Sequence, residues 1–303
     1  MLVRHLSYFV ALAEEQHFAH AAARCNITQP TLSAAVKKLE ADLQAILVVR
    51  SHRFVGLTPE GQKLLGWGRQ ILADYHSLCD DLDGSQLGMT GSLRLGAIPA
   101  AMPAVAFLTS VFVALNPAAT VEIRSLTSRA IAEGLNSFEL DGGLTYLVDE
   151  PIAHVRRMPL YRERYLLVVP SGHRLAGRHS VSWKIAAAEK LCLLSQDMQN
   201  RRIVDRLAVS AGAPIHAAIV ANSFLAVFSH LRHGGWASIV PHTFIHLVGQ
   251  QSGLASIPIN EPAHSESVGL VVSDREPQSP MSAALLAAAA RVHIEDAFDG
   301  ATD

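Results

Sequence analysis

The chain has 303 residues, half of them hydrophobic and 17% charged, with a formal net charge of −2. That length admits two or three domains, and that composition excludes a disordered chain or an indiscriminately basic nucleic-acid binder. Charge is uneven, however: residues 1–58 carry six lysines and arginines against four acids, with four histidines besides.

Leu2, Leu6, Phe9, Val10 and Ala13 fall at helical spacing and predict a first helix with one buried stripe. An alanine-rich second helix follows from Phe18 to Arg24, then a turn at Cys25-Asn26-Ile27. Thr28 suits the N-cap of a third helix, and Pro30 its first turn. This helix is expected to run to about Leu43 and to bury Leu32, Val36, Leu39 and Leu43. Two short helices joined by a tight turn predict a helix-turn-helix. Its second helix would enter the major groove N-terminus first, so its leading residues must be slim. Gln29 can bond adenine, Thr31 and Ser33 can bond either kind of base, and Lys37 and Lys38 sit later, where phosphates pass. An ordinary surface helix hairpin is the alternative reading of the same pattern.

Residues 46–58 read as two short strands around a turn, with Arg50, His52 and Arg53 near its tip. After a helix-turn-helix such a hairpin is a wing that contacts flanking phosphate or minor groove; otherwise it is a solvated hairpin. Thr58-Pro59-Glu60 then starts a helix. Along it Leu64, Trp67, Ile71, Tyr75, Leu78 and Leu82 form an apolar seam. A second subunit is one packing surface for that seam, the helix's own domain the other. Residues 84–91 end the helix and form a linker.

From residue 92 strands and helices alternate, which predicts an α/β region with a mostly parallel sheet in two lobes. Ligands of such sheets bind beyond the carboxyl ends of the strands, in the crevice between lobes. Thr127 and Ser128, then Asn222 and Ser223, begin helices there, Asn200 begins a third, and Thr145 ends a strand facing the same crevice. Hydroxyls and helix-start N–H groups suit a small anion, with Arg129 and Arg201 as sources of charge; plain helix capping is the alternative for each. The alanine-rich tail, residues 281–298, predicts one closing helix.

Cys25, Cys79 and Cys192 are too few and too scattered for a disulfide framework and fit a reducing cytoplasm. The N-terminus does not read as a signal peptide, and no apolar run is long enough to span a bilayer. His230 with His233, and His242 with His246, have zinc-compatible spacing but lack completing acids or cysteines. No nucleophile elbow or phosphate loop is present, so no catalysis, cofactor or metal is predicted.

Residues 5–43, followed by 50–65, resemble the LysR-type transcriptional regulators, and the resemblance extends over the whole chain. It implies a winged helix-turn-helix over residues 1–58, a linker and dimerisation helix with hinge over 59–90, and a periplasmic-binding-protein-like effector domain over 91–303. The first lobe of that domain would comprise about 91–161 and 267–303, and the second about 162–266. Applied to this chain, the resemblance implies DNA contacts from Thr28, Gln29, Pro30, Thr31, Ser33, Lys37, Lys38, Arg50 and Arg53. It implies effector contacts from Ala100, Thr127, Ser128, Thr145, Asn200, Asn222 and Ser223. The expected partners are double-stranded promoter DNA, a second copy of the chain through the linker helix, usually a tetramer, an anionic small molecule and RNA polymerase. Leu47-Val48-Val49-Arg50 departs from the family, which usually carries a longer aromatic residue before the wing. Pro99-Ala100-Ala101 departs too, since many members place a Ser or Thr there. Segments including residues 96–103 and 125–147 are similar to regulators found beside formate dehydrogenase operons, which suggests formate or a related anion as effector. A small-molecule binding protein whose N-terminal helices serve only protein contacts is the competing function.

Overall fold

A computed structural model describes residues 2–50, 54–83, 89, 91–148, 152–245, 253–261, 263–276 and 278–299. Helix α1 (Leu2–Glu15) buries Leu6, Phe9, Val10 and Leu12 against α2 (Phe18–Arg24) and α3 (Gln29–Leu43). Asn26 takes φ 54° in the turn between α2 and α3, a left-handed conformation that asparagine tolerates. Each stripe is shorter than its spacing predicts at one end: Leu2 of α1 and Leu43 of α3 are exposed. Both lie at helix termini, beyond the reach of the three-helix crossing.

Strands β1 (Val48–Arg50) and β2 (Phe54–Leu57) pair antiparallel, as expected of a hairpin. Glu40 of α3 anchors the hairpin by accepting from the backbone N–H groups of Leu47 and Val48 at 3.1 and 3.2 Å. Helix α4 (Pro59–Asp83) starts at Thr58, whose hydroxyl accepts from Gly61 N–H at 3.0 Å and donates to Ile46 carbonyl at 2.6 Å. Leu64 and Leu72 pack on the N-terminal core, whereas Trp67, Ile71, Tyr75 and Leu78 are exposed along the other face. The side chain of Leu82 lies outside the described residues.

The remainder contains two sheets. The first has the order β4-β3-β5-β13-β6, built from β3 (Gly91–Ala97), β4 (Ala119–Ser125), β5 (Gly142–Tyr146), β6 (Val155–Glu163) and β13 (Glu266–Ser273). Helices α5 (Met102–Leu115) and α6 (Ser128–Asn136) connect its parallel strands. The second has the order β11-β7-β12-β8, from β7 (Tyr165–Pro170), β8 (Val181–Ser182), β11 (Ser238–Pro241) and β12 (Leu254–Glu261). The parallel pair β9 (Leu191–Leu194) and β10 (Ala217–Ala221) joins it through a bridge from Leu191 to Ala237. Helices α7 (Trp183–Ala187), α8 (Gln199–Ser210) and α9 (Phe224–His233) belong to this lobe.

The sheets are mixed rather than mostly parallel: β13 runs antiparallel to β5 and β6, and β7 to β11 and β12. The chain passes between lobes twice, from β6 to β7 and from β12 to β13, and the strands that flank these crossings make the antiparallel pairs. The predicted closing helix is two, α10 (Pro280–Ala289) and α11 (Ile294–Asp299). The break turns Ile294 and Phe298 inward, where both are buried and Phe298 stacks edge-on with Phe107 and Tyr161 at 5.3 and 5.5 Å.

Candidate functional site

The first candidate surface is the start of α3. Thr28 has extended backbone angles and caps the helix, its Oγ1 3.4 Å from the Thr31 N–H and 2.8 Å from the Thr31 hydroxyl. Thr28, Gln29, Pro30 and Thr31 are exposed, and Ser33 is half-buried one turn on. Leu32, Ala35, Val36 and Leu39 fill the opposite face, so burial of that stripe turns the slim polar face outward. Lys37 and Lys38 are both exposed; Lys38 pairs with Asp42 at 2.7 Å, and among the described residues no acid pairs with Lys37. Arg50 ends β1, its side chain outside the described residues, and Arg53 lies wholly outside them.

The second candidate is the crevice between lobes. Thr127 caps α6 by accepting from Ala130 N–H at 3.1 Å, and Ser223 caps α9 by accepting from Leu225 N–H at 3.2 Å. Ser128 is buried and its hydroxyl bonds the side-chain oxygen of Gln199 from the other lobe. Gln199 itself is 4% exposed, and its Nε2 is buried without a hydrogen-bond partner. Ser195 Oγ and Thr243 Oγ1, which follow β9 and β11, are also buried and unpaired. Thr145 and Ala100 are buried on the first lobe. Asn222 and Ser223 line a cavity of about 200 Å³ with Pro99, Met102, Ser125 and Phe224. These groups all follow or end strands at one side of the two sheets, where α/β crevices hold ligands.

Asn200 occupies a deeper position. Its Nδ2 donates to the Tyr146 hydroxyl at 2.9 Å and to Glu163 Oε1 at 3.3 Å, while Tyr146 donates to Glu163 at 2.6 Å. This triad joins β5, the end of β6 and α8, and so ties the first lobe to the second. Burial pushes the Glu163 carboxyl up to about 8, partly offset by the Tyr146 hydroxyl. Next to it, Arg164 N–H donates to His242 Nδ1 at 3.1 Å, and His242 N–H returns a bond to Arg164 carbonyl at 2.9 Å.

The arginines expected to charge the crevice do not serve it. Arg129 is exposed and paired with Glu133 at 2.9 Å, and Arg201 is committed to Asp205 and to Leu194 carbonyl, each at 2.8 Å. Gln199, Tyr146, Glu163, Ser195 and Thr243 were not singled out from sequence. The alternation Tyr161-Glu163-Tyr165 was a readable signal, since an extended chain puts all three on one face. Among the described residues, no three His, Cys, Asp or Glu side chains gather as a metal site.

Comparison with known proteins identifies both parts of the chain. Residues 3–62 match the profile described as bacterial regulatory helix-turn-helix protein, lysR family, and residues 86–293 match the LysR substrate binding domain. A probable hydrogen peroxide-inducible genes activator from Streptomyces viridosporus is 31% identical over 272 residues, 88% of this chain and 86% of that one. The DNA-binding transcriptional dual regulator OxyR of Escherichia coli K12 is 29% identical over 99% of this chain and 98% of its own. A full-length OxyR variant from Pseudomonas aeruginosa shares the fold at TM-score 0.77 and 23% identity, covering 96% of this chain and 97% of that one. CbnR solved with its target DNA does so at 0.69 and 24%, covering 96% and 99%. These relatives are regulators rather than enzymes, and this chain belongs to the LysR family of DNA-binding transcriptional regulators.

Proposed function

We propose that the chain binds promoter DNA through the N-terminal turn of α3 and is controlled by a small anion, formate being the first candidate, held between the lobes. The observation that carries the effector reading is the buried, unpaired Nε2 of Gln199, whose side chain bonds Ser128, together with the buried, unpaired Ser195 Oγ and Thr243 Oγ1 that follow β9 and β11. Burying such groups without partners costs about 1–3 kcal/mol each, which a ligand of matching polarity would recover. The exposed Trp67, Ile71, Tyr75 and Leu78 favour a second copy as partner for α4, with tetramers built from those dimers. Promoter binding places the protein in the cytoplasm, with RNA polymerase as a further partner. No described helix is long and apolar enough to cross a membrane.

The relatives' names raise peroxide as a signal. Peroxide oxidises accessible thiolates, but burial pushes the thiols of Cys25 and Cys192 up, and Cys192 is fully buried in β9. No cysteine is among the crevice residues named above, and the half-buried Cys79 lies on α4 outside it, so a bound small molecule is favoured over thiol oxidation as the signal read between the lobes.

The test is a thermal-shift titration of the full chain with formate, acetate, nitrate and oxalate. A ligand at a hundred times its Kd adds about 2.7 kcal/mol. Thr127→Val and Ser128→Ala should weaken that response and leave basal DNA binding intact; equal loss of both would refute the division of roles.

A further inference from the structure

Glu163 is an uncommon residue to find at a hinge. It is 0% exposed, at the end of β6, where the chain passes from one lobe to the other. The groups that face it come from every neighbouring element: Tyr146 from β5, Tyr161 from its own strand, Tyr165 from β7, Asn200 from α8 and Glu266 from β13. None is a cation. Glu266 is itself paired with His264 and Arg206, and among the described residues no ion pair reaches Glu163. Among the described residues, no group makes a well-aligned hydrogen bond to its buried Oε2 or to the buried Tyr165 hydroxyl, although that phenol lies close enough to favour the ionised carboxyl in part. A carboxyl so placed lacks the compensation that a buried charge requires, and takes a proton instead.

One neighbour of this carboxyl is also a contact of the proposed ligand: Asn200, which follows Gln199 at the start of α8 and bonds Glu163 directly. An anion held there meets a neutral Glu163 without penalty and an ionised one with like-charge repulsion at low dielectric. Resting on the effector reading given above, we infer that Glu163 is a positioning and specificity residue whose protonated form is required for an anion to bind between the lobes. The protonated carboxyl accepts from Tyr146 and Asn200, holds both lobes around the site, and admits ligands by charge. The pKa of Glu163, pushed up to about 8 by burial, puts the change within reach of experiment.

The test is calorimetric binding of formate, acetate, nitrate and oxalate to the full chain between pH 6 and 9.5, in buffers of differing ionisation enthalpy. Wild type should lose affinity by up to about tenfold per pH unit above the Glu163 transition, with proton uptake on binding there. Glu163→Gln should bind with no change over that range. Tyr146→Phe removes a donor that favours the ionised carboxyl, so it should shift the transition to higher pH; this variant also serves if Glu163→Gln fails to fold. Anion binding with a pH profile that neither substitution alters overturns the role of Glu163 and leaves the effector reading standing. Failure of every anion to bind wild type at any pH overturns the effector reading, and this inference with it.

Discussion

Two glycines of α4, five residues apart, should respond to the same substitution with opposite sign. A methyl added at Gly61 would lie 2.1 Å from Leu47 carbonyl oxygen and 3.3 Å from Leu57 Cβ, whereas at Gly66 it meets nothing within 4 Å. Alanine gains about 0.8–1 kcal/mol over glycine within a helix. At Gly66 that gain stands alone, so Gly66→Ala should stabilise by up to about 1 kcal/mol. At Gly61 the helix and wing must separate by roughly 1 Å to restore ordinary contact, at an overpacking cost of about 1–3 kcal/mol. Leu47 carbonyl also accepts from Thr58 N–H at 3.0 Å, and losing that bond adds about 1 kcal/mol. The clash therefore exceeds the helix gain, and Gly61→Ala should destabilise by about 2 kcal/mol. Urea denaturation of both variants measures the difference, and operator binding by anisotropy should weaken only for Gly61→Ala, because the wing moves. Equal midpoints for the two variants would refute the close packing of wing on linker helix.

Thr31→Tyr combined with Ser33→Tyr should abolish sequence-specific DNA binding while the far-ultraviolet spectrum stays unchanged; retained affinity would remove α3 from the groove. Lys37→Ala should lower the slope of log affinity against log salt by about one unit, as loss of one phosphate contact requires. Trp67→Glu with Leu78→Glu should convert dimers to monomers in analytical ultracentrifugation, and an unchanged sedimentation coefficient would mean that the exposed face of α4 is not the dimer seam. Stability should also follow Glu163. Its folded value is raised from 4.5 to about 8, so the native state holds a proton that the unfolded chain releases between those values. The native advantage is complete below that window, declines through it by up to about 1.4 kcal/mol per pH unit, and is gone above it. Denaturant midpoints of wild type and Glu163→Gln at pH 5, 7 and 9 measure it, the variant lacking that component of the slope.

Much of this molecule is legible locally. The spacing of Leu6, Phe9 and Val10, the cap at Thr28 and the start at Thr58-Pro59 each depend on residues within a turn or two, so the sequence determined the helix-turn-helix, its polar leading face and the start of α4. It also determined the βα rhythm and the helix starts at Thr127 and Ser223, whose hydroxyls cap as their positions imply. Tertiary structure decided what those starts face. Ser128 meets Gln199 across 71 residues of chain, and Tyr146 meets Asn200 across 54, because two crossings of the chain bring one lobe against the other. No periodicity encodes such a meeting. The same long-range pairing made the sheets mixed and broke the closing helix so that Phe298 could reach the core, whereas the pair of Arg201 with Asp205, four residues on in α8, is a local one that the sequence spacing already offered. Local propensity governs a residue's conformation, whereas its partners, and hence its charge state, follow from which distant surfaces burial brings together.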